Sequence, residues 1–318
     1  GTSLIVRFPT MNLDGDDAAF VVDIKKLYAV IPQLCCESLM VVKANSGLRI
    51  AGEGVKIELP YYDLSTFKSE KLIVEPDVSL TVSADALKEN LLNTAHALAV
   101  NKTGEKTSAF FLEFTGTGIR CTATDGYRVS VHGDEGDATC SILIPNEAVR
   151  KIIRYLSGNV QIQKKGDAVE ISDDTTVLKI VALSGAYFDI AKIFGDFESR
   201  LNKKVTVKKE DLLNATQLAL AMLDSGDDSK VLTIAMENNS LIITVKGQEG
   251  AFQQTLDADI NIPDQGPAMF YRINGQYLAS ALRVLKEEDV TIHFGNERDP
   301  FIIKEDTNIE LLLLNVSK

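Results

Sequence analysis

One arrangement recurs five times along the chain: a β-branched residue followed, five positions later, by the first apolar residue of an amphipathic helix. The pairs are Val22/Leu27, Val82/Leu87, Ile144/Val149, Val207/Leu212 and Ile273/Leu278. Successive anchors lie 60, 62, 63 and 66 residues apart. That period exceeds the roughly 20–50 residues of ordinary solenoids, so the repeated piece is a small αβ module. Within the helices apolar residues fall at i, i+3, i+4 and i+7, as in Val149, Ile152, Ile153 and Leu156, giving one stripe to lie on a sheet.

The modules are of two kinds. In the short kind the helix leads quickly into strands: Leu27–Leu34 into Leu39–Lys43 and Leu48–Gly52, Val149–Leu156 into Val160–Lys164 and Ala168–Ser172, and Leu278–Leu285 into Val290–Phe294 and Phe301–Lys304. In the long kind a longer helix, Leu87–Val100 or Leu212–Leu223, meets a polar turn before its strands. The order is short, long, short, long, short. Pairing each long module with the short one after it predicts three domains of one α+β design, helices packed on antiparallel sheets. Their bounds are 1–70, 71–199 and 200–318, with linkers near 69–77 and 195–204. The first domain is N-terminally incomplete. It lacks a long module, and Leu4–Phe8 has the pattern of the last strand of one.

At 318 residues, 45% hydrophobic and 25% charged, the composition suits a chain with real cores, and no apolar run reaches the roughly 18 residues of a membrane span. The start, Gly-Thr-Ser-Leu-Ile-Val, has no basic or apolar leader region and reads as an internal or processed beginning. Cys35, Cys36, Cys121 and Cys140 form no CxxC pair, and only His96, His132 and His293 could join them at a metal. The vicinal Cys35-Cys36 pair reads as buried thiols, the cysteine usage fits a reducing cytoplasm, and no metal or cofactor is expected. A net charge of −12 excludes a uniformly basic nucleic-acid binder but says nothing about any one face.

Thr124-Asp125-Gly126-Tyr127-Arg128-Val129 follows a predicted strand, Phe110–Phe114, and the turn Gly116-Thr117-Gly118. This segment resembles the Thr-Asp-Gly-His/Tyr-Arg-Leu segment of the bacterial DNA polymerase III β subunit, the replicative sliding clamp. Gly185-Ala186-Tyr187-Phe188-Asp189 is similar to the family's Gly-x-Phe-Pro-Asp segment, and the chain ends on an apolar strand, Leu311–Val316, as clamps do. The resemblance spans the whole chain. It departs at Phe188, where the family usually has Pro, and at Asn315-Val316-Ser317-Lys318, where the family reads Pro-x-Arg-x. By the same comparison about 50 residues, one long module, are missing from the front.

What the resemblance implies is a three-domain sliding-clamp fold and a processivity factor in DNA replication. The clamp would be a homodimer around double-stranded DNA, tethering the polymerase III catalytic subunit, the clamp loader and repair proteins through short linear motifs. The implied peptide groove comprises Thr124, Gly126, Tyr127, Arg128, Val129, Phe188, Lys192, Ile193, Leu312, Leu313, Leu314 and Val316. Aliphatic walls with polar rims suit an extended peptide with large apolar anchors. An ordinary buried strand and a β-turn are the competing readings of its parts. The implied dimer contact joins Ile57 and Leu59 of Val55–Leu59 to Phe252 and Leu256 of another copy, with Met222 and Leu223 beneath.

Basic residues recur on the helices. Arg150, Lys151 and Arg154 share one face; Lys25, Lys26, Lys208, Lys209, Arg283 and Lys286 lie in neighbouring modules. In a clamp such faces line a hole and meet phosphates without reading sequence. The resemblance adds the loop residues Asn101, Lys102 and Lys106. A plain solvated helix face is the alternative for any one helix. No GxxxxGK[ST] loop, HExxH or nucleophile signature is present, so no catalytic residue is assigned. Beside the encircling clamp stands a second reading, a shortened clamp paralogue acting as a non-encircling interaction module.

Overall fold

The computed structural model describes residues 2–6, 21–35, 38–44, 47–62, 73–99, 105–223, 230–237, 239–247, 250–262 and 269–316. A lone strand, β1 (Thr2–Val6), comes first. The first β-α-β-β-β unit is β2 (Val21–Val22), α1 (Ile24–Val30), β3 (Met40–Ala44), β4 (Gly47–Gly52) and β5 (Val55–Leu59), followed by β6 (Tyr61–Tyr62). The second is β7 (Val78–Ser83), α2 (Ala84–Thr94), β8 (Ala109–Phe114), β9 (Ile119–Thr124) and β10 (Arg128–Gly133). The third is β11 (Cys140–Pro145), α3 (Asn146–Tyr155), β12 (Asn159–Lys165), β13 (Ala168–Ser172) and β14 (Thr176–Val181). After α4 (Ile190–Glu198) comes the fourth, β15 (Lys203–Lys208), α5 (Lys209–Ala221), β16 (Val231–Glu237), β17 (Ser240–Lys246) and β18 (Ala251–Asn261). The fifth is β19 (Met269–Asn274), α6 (Gly275–Val284), β20 (Asp289–Phe294), β21 (Phe301–Glu305) and β22 (Ile309–Leu313).

The units explain the five-residue spacing. In every one the β-branched anchor ends or nearly ends a strand, the next residue is the helix N-cap, and the apolar residue is the fourth of the helix. Asp23, Ser83 and Asn274 cap with their side chains, accepting from the backbone N–H of Lys25, Ala86 and Gln276. An apolar residue just before the cap and another at the fourth helical position form a hydrophobic staple, which fixes the angle at which the chain enters the helix. Both members of each pair lie in the same core: Val82 with Leu87 and Ile144 with Val149 in one, Val207 with Leu212 and Ile273 with Leu278 in another.

Strand pairing repeats the scheme. β7 pairs with β12 and β8 with β11; correspondingly β15 pairs with β20 and β16 with β19, all antiparallel. Helices cover the resulting sheets. One core draws on residues from Ala84 to Ala182 and a second on residues from Val205 to Leu313. The two meet where β10 pairs with β22, making a twelve-stranded sheet in the order β11-β8-β9-β10-β22-β21-β20-β15-β18-β17-β16-β19.

The chain divides into two compact units, Gly1–Arg7 with Ile73–Lys318, and Phe8–Leu72. The strand expected at Leu4–Phe8 is Thr2–Val6, and it joins the larger unit by pairing with β14. Its place there is the counterpart of β10 against β22: each lies antiparallel on the last strand of a short module, β14 of the third unit or β22 of the fifth. In the smaller unit β3, β4 and β5 form a sheet over a small core of Leu48, Ile50 and Leu59. The expected linker at 195–204 is corrected: its start is helix and its end, from Lys203, is already strand β15. α4 runs to Glu198, started by Asp189, whose carboxylate accepts from the Lys192 N–H, and fastened by Phe194. Gly195 suggested a linker, but the apolar spacing of Ile190, Ile193, Phe194 and Phe197 overrides one glycine.

Candidate functional site

The turn between β9 and β10 is built by its own side chains. Asp125 Oδ1 accepts from the N–H groups of Tyr127 (2.9 Å) and Arg128 (3.1 Å). Thr124 Oγ1 donates to the Arg128 carbonyl at 2.6 Å and accepts from the Gly126 N–H at 3.1 Å. Gly126 has φ +92°, a left-handed conformation that a side chain would strain. Tyr127 is thereby thrust outward, 65% exposed.

Arg128 turns the other way. It is buried, with Nε 2.9 Å from Asp125 Oδ2, Nη1 donating to Ser280 Oγ at 2.8 Å, and the guanidinium 4.0 Å from the centre of the Tyr277 ring. Ser280 and Tyr277 belong to α6, so this arginine ties the turn to the fifth unit. A short strand and a β-turn do not explain an arginine at that position; a charge-assisted staple between two units does.

Pairing of β10 with β22 sets Val129 against Leu312 and Arg128 against Leu313. Because side chains alternate along a strand, the two leucines part company. Leu312 joins Val129, Val131, Ile302 and Phe194 in a buried apolar cluster, against which Ile193 and Leu314 are half-buried. Leu313 lies in the core of the last region with Leu311. Beyond β22 the chain stays close: Leu314 N–H donates to the Tyr127 carbonyl at 2.9 Å and Val316 N–H to the Arg272 carbonyl at 2.7 Å. Asn315 Nδ2 donates to the Glu297 carbonyl at 3.1 Å, tying down the tail. On the other side Phe188 is 41% exposed and edge-on to Tyr187, while Lys192 is exposed on α4. Thr124, Gly126, Tyr127, Val129, Ile193, Leu312, Leu314 and Val316 are thus brought to one seam, with Lys192 on α4 and Phe188 just before that helix. Arg128 sits beneath it as a support.

His96 lies beside this seam and carries no mark in the sequence. Both its ring nitrogens are buried without a hydrogen-bond partner among the described residues. Burial, with the Arg128 charge added, lowers its pKa to about 4.

The cationic residues do not form one even surface. α3 carries Arg150 and Arg154 exposed and Lys151 half-buried, opposite the buried Ala148, Val149 and Ile152. Lys25 and Lys26 are exposed on α1 and Arg283 on α6. Lys208 ends β15, Lys209 Nζ donates to the Leu285 carbonyl at 3.1 Å, Lys286 is paired with Glu89 of α2, and Lys106 Nζ donates to the Ala186 carbonyl. Exposed positions on the long helices are acidic or neutral: Asp85, Glu89 and Leu92 on α2; Glu210, Asp211, Asn214 and Gln217 on α5. Asn101 and Lys102 lie outside the described residues.

Of the expected dimer residues, Ile57 and Phe252 are half-buried, Leu59 and Leu256 are buried, and Met222 is 42% exposed. Leu223, expected beneath that contact, is buried in the core of the last region. Among the described residues β5 pairs only with β4, and β18 pairs with β15 over Ala258–Asn261 but only with β17 over Ala251–Asp257, leaving an open edge on β5 and on that first stretch of β18. Among those residues no three His, Cys, Asp or Glu side chains gather to hold a metal, and no helix is long and apolar enough to cross a membrane.

Paired β-α-β-β-β units joined through their last strands are an architecture that solved sliding clamps share. The chain overlays the DNA polymerase sliding clamp from Pseudomonas aeruginosa with a TM-score of 0.88 over 100% of this chain and 87% of that one, at 15% identity. It overlays the sliding clamp from Bacillus subtilis with a TM-score of 0.86, covering 100% of this chain and 86% of that one, at 19% identity. The fold is therefore that of the sliding clamps. In sequence the chain is similar to the beta sliding clamp of Synechococcus elongatus, 25% identical over 246 residues, 73% of this chain and 63% of that relative. The chain thus spans less than two thirds of the curated relatives it matches. No protein-family model matches it.

Proposed function

We propose that the protein is a sliding-clamp subunit of the DNA polymerase III β type, a processivity factor without a catalytic site of its own. The observation that carries this reading is the β10–β22 seam, where the Thr-Asp-Gly turn, α4 and the C-terminal strand contribute to one apolar cluster. In it the side chains of Val129, Leu312 and Leu314 and the exposed rings of Tyr127 and Phe188 receive apolar anchors of linear motifs from polymerase, loader and repair proteins. Two copies close head to tail in the cytoplasm, the open edge of β5 meeting that of β18 around Ile57, Leu59, Phe252 and Leu256. Arg150, Lys151 and Arg154 of α3 supply the main cationic contact with duplex DNA, and Lys25, Lys26 and Arg283 add to it.

The test is retention on nicked circular DNA after loading, read with the sedimentation mass. A closed dimer stays on circles and slides off once they are linearised. Met222→Glu, at a displayed position beside that interface, gives monomers that are not retained. Wild-type monomers that still bind anchor peptides would replace the ring with the non-encircling module.

A further inference from the structure

Next to the groove a cleft of about 280 Å³ opens between α4 and the β8-β9-β10 face. Phe111, Val131, Phe188 and Phe194 are among its apolar lining. Val131 and Phe194 also belong to the cluster that contains Val129 and Leu312, so apolar surface continues from the groove into the cleft. The charged lining is unbalanced: Glu113, Asp189 and Glu310 against Arg120 alone. Arg120 is already spent, its Nε and Nη2 reaching the two Glu113 oxygens at 2.9 and 3.0 Å. Glu310 keeps acceptor capacity, since its partner Lys304, at 2.8 Å, is shared with Glu198.

Building on the groove reading, we propose that this cleft is a second subsite, which takes an arginine or lysine flanking the apolar anchors of the same partner peptide. The acidic excess matches a cation and repels an acidic flank. An apolar floor with exposed Phe188 suits the stem of a long basic side chain, and a guanidinium stacks on such a ring while its fork meets Glu310. The groove alone selects apolar anchors; the cleft would rank partners by the charge beside them.

Calorimetric titrations with three peptides test this. All carry the same anchors, and they differ in a flanking pair, Arg-Arg, Gln-Gln or Glu-Glu, placed at each end in turn. From one end, the arginine peptide is expected to bind about three- to fivefold tighter than the glutamine one, and the glutamate peptide more weakly. The gain disappears in Glu310→Gln, which leaves Lys304 its Glu198 partner, and in Ala191→Arg, which sets a cation at the exposed edge of the cleft. Equal affinities for the arginine and glutamine peptides from both ends, or a gain that survives both variants, would overturn the proposal. The groove answers separately: if alanine in place of the anchors leaves the glutamine peptide's affinity unchanged, it is the groove reading that fails.

Discussion

The seam at β10–β22 and the outer face of α3 are assembled in opposite ways. Every cation on α3 is placed by residues within three turns of it, and the helix would show the same face on any sheet. At the seam the turn is local but its walls are not: Arg128 bonds Ser280, 152 positions away, and Val129 faces Leu312. A local site is tunable one residue at a time and tolerates loss. A site assembled from distant segments is all or nothing, because each wall is another wall's support.

The contrast breaks most sharply at Arg128. Arg128→Ala removes a buried ion pair and the staple to α6, and should cost about 4 kcal/mol in chemical denaturation while abolishing peptide binding. Arg128→Lys should rescue little, since an ammonium cannot hold Asp125, Ser280 and the Tyr277 face together. Next come the neighbouring leucines. Leu312→Ala and Leu313→Ala should each cost about 3 kcal/mol, but only Leu312→Ala should weaken peptide binding in titration calorimetry. Equal loss of binding in both would erase the two-faced description of the strand.

His96 should make the seam region pH-sensitive. The unfolded chain takes up a proton on this histidine near 6.5, whereas the folded protein keeps it neutral to about 4. Between those values the unfolded state binds more protons, so stability falls as pH falls through the window and levels off below it. The loss should reach about 2 to 3 kcal/mol and should be absent in His96→Phe, as read from denaturation midpoints between pH 7 and 4. The smallest effects belong to α3. Each of Arg150→Gln, Lys151→Gln and Arg154→Gln should weaken DNA binding only severalfold, the triple variant flattening the log–log salt dependence by about 2 to 3. Lys286→Gln, in which a cation already paired with Glu89 is lost, should do less than any of them.

Much of this was legible along the chain. The anchor spacing located the helix of each of the five units because it encodes a staple and a cap, both local devices. It also yielded the alternation of long and short modules and the turn at Asp125-Gly126. What escaped needed distance. α4 was hidden by Gly195, since its apolar stripe becomes meaningful only once Val129, Val131 and Ile302 are beneath it. The even basic surface suggested by recurrence became an uneven one, because Lys209, Lys286 and Lys106 find partners far along the chain.

By itself the sequence determined the repeated module, since caps, staples and hydrophobic periods act within one turn or one strand and need no neighbour to operate. Only the tertiary structure decided which modules share a sheet, which leucine of the last strand faces the seam, and which charges remain available. Those are questions of pairing between segments distant in sequence. A periodic pattern cannot answer them, because every repeat offers the same apolar face and only packing chooses its partner.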